Sequence, residues 1–305
     1  MDLAAAPRTD VLTTPDGARL RWGVWPEPEG RVRGTVLILN GRSEFIEKYR
    51  ETAGELIARG FRVFGFDWRG QGLSTRMPEG DQTGHYDSFD PLVRDAAAVA
   101  DQVVRPATEG PLILLGHSMG GHLALRLLAA RPDLAGGAIL TAPMVAPIAA
   151  PTARRAAQLL SPLAAALGRG RRYALGEAAY DPQRLLDPQR LLSGDPVRNR
   201  IQADWFRDHP EYRVSGITWG WLAAAFRSTG EILRAAPGIR VPTLMLLAGQ
   251  ERLVDNAASR RVAQRMPDCR VIVYPQSRHE ILMERDDIRA AFWRDADGFL
   301  APLAP

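Results

Sequence analysis

Six short stretches of this chain are apolar at nearly every position: Thr35–Leu39, Phe61–Phe66, Leu112–Leu115, Ala138–Leu140, Thr243–Leu247 and Arg270–Tyr274. A strand with one wet face alternates apolar with polar residues, so an unbroken apolar run implies cover on both faces. Between these runs lie periodic segments of helix length, at residues 47–59, 91–104, 119–130, 256–265 and 286–300. Strand alternating with helix predicts an α/β protein, with a mostly parallel central sheet flanked by helices on both sides. Ahead of it, Val11–Thr14 and Arg19–Trp25 alternate around Pro15-Asp16-Gly17, the signature of a hairpin.

The alternation stops after Leu140 and resumes at Val241, and the residues between are helix-rich and punctuated by proline. We therefore expect three parts: a first core segment at 1–143, an inserted helical cap at 144–236, and a second core segment at 237–305. The cap holds 13 Arg against 8 Asp and Glu, so it carries the basicity of a chain whose net charge is +4. Arg154, Arg155, Arg169, Arg171 and Arg172 flank the apolar stretch Leu159–Leu167. That pattern reads either as a solvated helix face or as a segment that rests on an anionic membrane surface. A doublet, Asp181-Pro182-Gln183-Arg184 and Asp187-Pro188-Gln189-Arg190, reads as two short helix starts.

Composition narrows the function classes. Of the 39 basic residues only Lys48 is a lysine, and the arginines are interspersed with acids along most of the chain, which argues against nucleic-acid binding. Cys269 is the only cysteine, so no intramolecular disulfide can form and a reduced, cytoplasmic setting is expected. The first ten residues show no secretory signal, and the most apolar stretch, 138–153, is broken by Pro143, Pro147 and Pro151. No spacing of metal ligands occurs, and neither a metal nor an organic cofactor is expected.

The sharpest chemical signal is Gly116-His117-Ser118-Met119-Gly120, which follows the apolar run at Leu112–Leu115 and opens a helical segment. Gly-x-Ser-x-Gly between strand and helix is a turn that lifts the serine clear of the sheet and leaves the next backbone amide, here Met119, free to donate to an oxyanion. A serine nucleophile needs a histidine to take its proton and an acid to orient that histidine. His117 and His122 lie within the turn and the following helix and read as packing residues, while His85 and His209 lie in polar loops. His279 follows the last apolar run, where the chain order serine, acid, histidine places the base. Two carboxylates compete for the acid, Glu251 and Asp255, both in the loop after Leu247.

From Val36 to about Arg285 these motifs resemble the α/β-hydrolase superfamily, in particular its branch of monoglyceride lipases, bacterial lysophospholipases and serine aminopeptidase-like proteins. In that branch the acid loop usually reads Gly-x-x-Asp-x-x-Val/Cys-Asp with the first acid catalytic, so the resemblance favours Glu251 and leaves Asp255 as the alternative. Asn40-Gly41-Arg42 stands where the branch usually has His-Gly, the loop that completes the oxyanion hole; the resemblance makes the amide of Arg42 the second donor and places Asn40 and Gly41 against the substrate. Glu44–Tyr49 is similar to the lysophospholipases, and Asp67–Ser74 is similar to a turn that serves as scaffold. Pro210–Leu222 also looks like the lysophospholipase group, with Trp219, Trp221 and Phe226 packing the cap and lining an acyl pocket.

The resemblance implies a serine hydrolase that cleaves carboxylic esters of single-chain lipids, a lysophospholipid or monoacylglycerol. The alternatives are a general carboxylesterase or transacylase of small esters and, from another class, a non-catalytic binding module. The Gly-Gly-Pro-Gly motif of prolyl aminopeptidases is absent at Asn40–Ser43, and an aspartate nucleophile would have to stand at Ser118 for haloalkane or epoxide hydrolysis.

Overall fold

The apolar runs become strands of a single sheet, five of them in its interior and one at its edge. The computed structural model describes residues 5–148, 150–185, 187 and 191–305. It opens with β1 (Arg8–Thr13) and β2 (Arg19–Val24) and continues through β3 (Gly34–Leu39), α1 (Arg50–Ala58), β4 (Phe61–Phe66), α2 (Asp90–Val99), β5 (Leu112–His117), α3 (Met119–Ala130) and β6 (Gly137–Thr141). Among the described residues four α-helices follow without an intervening strand, α4 (Pro151–Ala164), α5 (Pro182–Leu185), α6 (Ile201–Asp208) and α7 (Trp219–Ala235). The sheet then resumes with β7 (Thr243–Ala248), α8 (Asn256–Ala263), β8 (Cys269–Tyr274) and α9 (Asp286–Leu300).

Strand order is β1-β2-β4-β3-β5-β6-β7-β8. β1, β2 and β4 pair antiparallel, whereas every pairing from β4 through β8 is parallel. The period of two sorts each central strand onto two cores. Val36, Ile38, Ile113, Leu115, Leu244 and Leu246 face one way and pack with Ala53 and Leu56 of α1 and Phe292 and Trp293 of α9. Leu37, Leu39, Leu112, Leu114, Met245 and Leu247 face the other way, onto Leu92 of α2, Leu123 of α3 and Val262 of α8. β3, β5, β6 and β7 are buried at every position, as unbroken apolar runs require. β8 departs from that expectation: it is the edge strand, with a single neighbour, and only Tyr274 in it is buried.

β3 connects to β4 on one side, and β5 lies on the other side of β3. That reversal opens a crevice at the carboxyl ends of β3 and β5, the usual ligand position in an open α/β sheet. The segment between β6 and β7 is tied down close to this end. Arg198 reaches Glu51 of α1 through Nε and Nη2, both at 2.7 Å, and donates to the Glu284 carbonyl at 3.1 Å.

α4 turns its small residues inward. Ala157 and Ser161 are buried while Leu159, Leu160 and Leu163 are exposed, as is Leu167 one turn further on. The first helix start of the doublet forms α5; Pro188, Gln189 and Arg190 of the second lie outside the described residues. Among the described residues no helix is long and apolar enough to cross a membrane.

Candidate active site

Ser118 ends β5 and starts α3 within one residue, at φ 50° and ψ −114°. A side chain rarely tolerates positive φ, and the turn is held by neighbours that leave no slack. The Ser118 amide donates to the Thr141 carbonyl at 3.0 Å, and the Ser118 carbonyl accepts from Met144 at 2.9 Å and His122 at 3.0 Å. A Cβ on Gly120 would overlap the Leu39 carbonyl, and one on Gly116 would come within 2.8 Å of the Gly121 Cα. Glycine at 116 and 120 is therefore what lets α3 start this close to β3 and β5.

The Ser118 hydroxyl lies 2.9 Å from His279 Nε2, and His279 Nδ1 lies 2.7 Å from Glu251 Oε2. The other oxygen of Glu251, Oε1, accepts from the amides of Arg252 at 2.9 Å, Leu253 at 2.8 Å and Val254 at 3.3 Å. One oxygen thus anchors the carboxylate in its own loop and the other faces the imidazole. Burial opposes charge on both partners, but the ion pair outweighs it: Glu251 is held below the usual carboxylate range. For His279 burial lowers proton affinity, and Glu251, then Glu280 and Glu44, more than restore it, so its pKa lies above the ordinary 6.5.

Asp255 is not part of this chain. Its Oδ1 caps α8 by accepting from the Ala257 amide at 3.0 Å, and its Oδ2 lies 3.1 Å from Arg154 Nη1 at the start of α4. As an N-cap its carboxylate is turned onto its own helix, away from His279.

The loop after β3 is bracketed on all sides. The Ser43 amide donates to Gln71 Oε1 at 3.0 Å while Gln71 Nε2 donates to the Gly41 carbonyl at 3.1 Å, so the turn read as scaffold supports this loop directly. Arg42 Nη2 donates to the carbonyls of Thr83 at 3.0 Å, Ser215 at 2.8 Å and Gly216 at 3.1 Å, and the guanidinium lies over the Trp221 ring. Burial pulls its pKa down to about 10, and Tyr86 and Glu177 nearby offset only part of this. Among the described residues the backbone N–H groups of Arg42 and Met119 donate to no protein acceptor.

Ser118 and His279 open onto a cavity of about 550 Å³. Its lining combines apolar residues, among them Met144, Ile148, Ile217, Trp221, Leu253 and Val254, with polar ones, among them Glu44, Asn199, Gln202, Arg278 and Glu280. Gly41 and Arg42 lie on its wall, but Asn40 does not. Contrary to expectation, the Asn40 amide is buried beneath the loop and donates to the Phe66 carbonyl at 3.0 Å. Trp219 and Phe226 also need correcting as pocket residues: of the three aromatic residues of α7 only Trp221 reaches the cavity, and the other two pack against the core beneath the cap. Residues 219 and 221 are about 200° apart around a helix, so they cannot share its inner face.

Of the other histidines, His85, His117 and His122 are packed, whereas the His209 side chain is 44% exposed. His122 Nδ1 donates to the Met144 carbonyl at 2.8 Å, and burial lowers its pKa to about 3. His117 bonds Thr141, and His85 bonds Thr218 at 2.8 Å. Sequence reasoning missed the polar lining of the cavity. Its one clue was that Lys48, the single lysine, stands four residues after Glu44.

The family model described as Hydrolase_4, serine aminopeptidase, S33, matches residues 30–286. The chain is 30% identical over 294 residues to a protein named probable lysophospholipase L2 of Haemophilus influenzae, covering 96% of this chain and 91% of that one. It is 33% identical over 263 residues to lysophospholipase L2 of Escherichia coli K12, covering 84% and 76%. In structure it is similar to a soluble variant of monoglyceride lipase from Saccharomyces cerevisiae, with a TM-score of 0.76 over 98% of this chain and 97% of that one. Identity there is 18%, so that likeness speaks to the fold alone.

The contrast between the two loop carboxylates is testable by stability. Asp255→Ala removes an N-cap and an ion partner of Arg154, and should cost about 1–2 kcal/mol in denaturant unfolding. Asp255→Asn, which can still cap, should lose less than half of that; equal losses would remove capping as the role of this side chain.

Proposed function

The chain belongs to the serine aminopeptidase S33 family of α/β-hydrolases, and from that premise we propose that it is a serine hydrolase of carboxylic esters of single-chain lipids, with lysophospholipids foremost and monoacylglycerols second. The observation that carries this reading is the unbroken chain from Glu251 through His279 to Ser118, opening on a cavity lined by both apolar and polar residues. The apolar lining suits an acyl chain and the polar groups an alcohol or headgroup, with the ester carbonyl at Ser118. The names of the relatives support the lipid class.

In this mechanism neutral His279 takes the Ser118 proton as Oγ attacks the ester carbonyl. Glu251 keeps the Nδ1 proton on the imidazole and stabilises the cation that forms. The amides of Met119 and Arg42 receive the oxyanion. As the tetrahedral adduct collapses, the bond to the alcohol breaks and His279 gives the alcohol its proton, leaving an acyl group on Ser118. Water, deprotonated by His279, then attacks the acyl carbonyl; collapse releases the fatty acid and returns the proton to Ser118.

The three-part organisation, two core segments around a helical cap, fits this division of labour, since the segment between β6 and β7 supplies Trp221, Asn199 and Gln202 to the cavity. The cap also supplies the reading of a membrane contact. On α4, Leu159, Leu160 and Leu163 fall within an arc of about 100°, Leu159 is 75% exposed, and the exposed Arg155, Arg169 and Arg172 lie near them in the chain. Such a face inserts its leucines at an anionic lipid surface while the arginines meet the headgroups.

Three outcomes are expected. Purified protein should release fatty acid from lysophosphatidylglycerol, lysophosphatidylcholine or monoacylglycerol far faster than acid from a short activated ester. Ser118→Ala should abolish that turnover, and Glu251→Gln should lower kcat by about a thousandfold. Cleavage of the short ester alone would remove the lipid reading, and full activity in Ser118→Ala would remove the nucleophile. Second, because His279 must be neutral to act and its pKa is raised, kcat/KM should fall as pH drops through a midpoint above 6.5; a midpoint below that value would contradict the ion pair with Glu251. Third, the protein should sediment with vesicles containing phosphatidylglycerol, and Leu159→Ser with Leu163→Ser should release it. Equal binding by wild type and variant would remove α4 as the contact.

A further inference from the structure

Lys48 is the single lysine of the chain, and it is 3% exposed. A buried ammonium is costly unless each of its three donors finds a partner. Here Nζ lies 2.8 Å from Glu44 Oε1, 2.7 Å from Glu280 Oε1 and 2.9 Å from Gln202 Oε1. These partners come from three separate parts of the fold: the loop after β3, the residue after His279, and α6. The second oxygen of Glu44 accepts from the Gly41 amide at 2.5 Å and from the Tyr49 hydroxyl at 2.6 Å. Through Glu44 and Glu280 one ammonium therefore joins the backbone next to Arg42 to the backbone next to His279.

The same carboxylates face the histidines. Glu44 Oε1 lies 3.9 Å from His117 Nε2, and the His117 ring centre is 5.0 Å from that of His279. Around His279 the titratable and charged groups are Glu251 from the loop after β7, Glu280 and Arg278 from its own loop, His117 from β5, and Glu44, Lys48 and Tyr49 from the segment leading into α1. Arg278 donates to the Ser193 carbonyl at 3.3 Å, and Arg252 lies on the cavity wall beyond. Three of these groups are carboxylates, and only Glu251 bonds the imidazole. The other two would hold His279 protonated, and so idle as a base, were a cation not set between them.

We propose that Lys48 is a positioning residue for the reaction: its ammonium holds the oxyanion loop and the histidine loop in one register and offsets the Glu44 and Glu280 carboxylates that face the base. This rests on the reading of Ser118, His279 and Glu251 as the catalytic chain. Charge and geometry are the two halves of the role, and different substitutions separate them. Lys48→Met removes both. Lys48→Arg keeps the charge but replaces a compact three-way donor with a longer planar fork.

The test is the pH profile of kcat/KM for fatty-acid release. Lys48→Met should move the acid limb up by about 1 pH unit, so that its loss at pH 6 exceeds the pH-independent loss remaining at pH 9 by about tenfold. Adding Glu280→Gln to Lys48→Met should bring the limb back toward wild type. Lys48→Arg should lower kcat at all pH values with the limb in place. If Lys48→Met does not fold, Glu280→Gln alone carries the test, since it removes an anion beside the base and should move the limb down. A limb that stays fixed in Lys48→Met and in Glu280→Gln, with or without a pH-independent loss, overturns the proposal. Ser118→Ala keeps the two readings apart. If it is inert while the limb stays fixed, only the role of Lys48 falls; if it remains active, the catalytic chain itself falls.

Discussion

At Ser118 the chain leaves a fully buried strand and enters a helix through a backbone conformation that costs a non-glycine residue about 1–3 kcal/mol. Three backbone hydrogen bonds hold that turn, to Thr141, Met144 and His122, together with the missing side chains at Gly116 and Gly120. The hydroxyl gains a fixed position at the carboxyl end of the sheet, within reach of loops from β3, β7 and β8. Without the turn the imidazole of His279 would have nothing 2.9 Å from its Nε2 to activate.

The loops that converge there are held by polar contacts in a dry setting, where an unpaired group is expensive and a paired one is directional. Glu251 divides its two oxygens between its own loop and His279. Gln71 brackets the loop after β3, and Arg42 in that loop grips the carbonyls of Ser215 and Gly216 just before α7. The position of the segment between β6 and β7 and the shape of the loop after β3 are thereby linked. Lys48 links the loop after β3 in turn to the loop that carries His279, so the parts of the site lean on one another as well as on the sheet.

The central sheet was legible because Val36–Leu39, Leu112–Leu115 and Leu244–Leu247 are buried on both faces and carry no polar residue to blur the pattern. β8 was harder to read, since an edge strand shares its apolar composition but not its burial. Ser118 and His279 stood out by motif and chain order. Glu251 and Asp255 sit four residues apart in one loop, and what separates them is that Asp255 is spent as the cap of α8. Asn40, Trp219 and Phe226 were misplaced for a similar reason: position in a motif does not say which way a side chain points, and Asn40 turns down to Phe66. The Lys48 cluster joins residues 4, 154 and 232 positions apart, a juxtaposition that only the fold brings about.

The central claim is that Ser118 is made nucleophilic by its hydrogen-bonded chain to His279 and Glu251. The most direct measurement is labelling of the native protein with a fluorophosphonate, followed by mass spectrometry of its peptides. The account predicts one phosphonyl group per chain, on Ser118, formed far more slowly when His279 is replaced by alanine. Labelling at another residue, or at the same rate without His279, would contradict it.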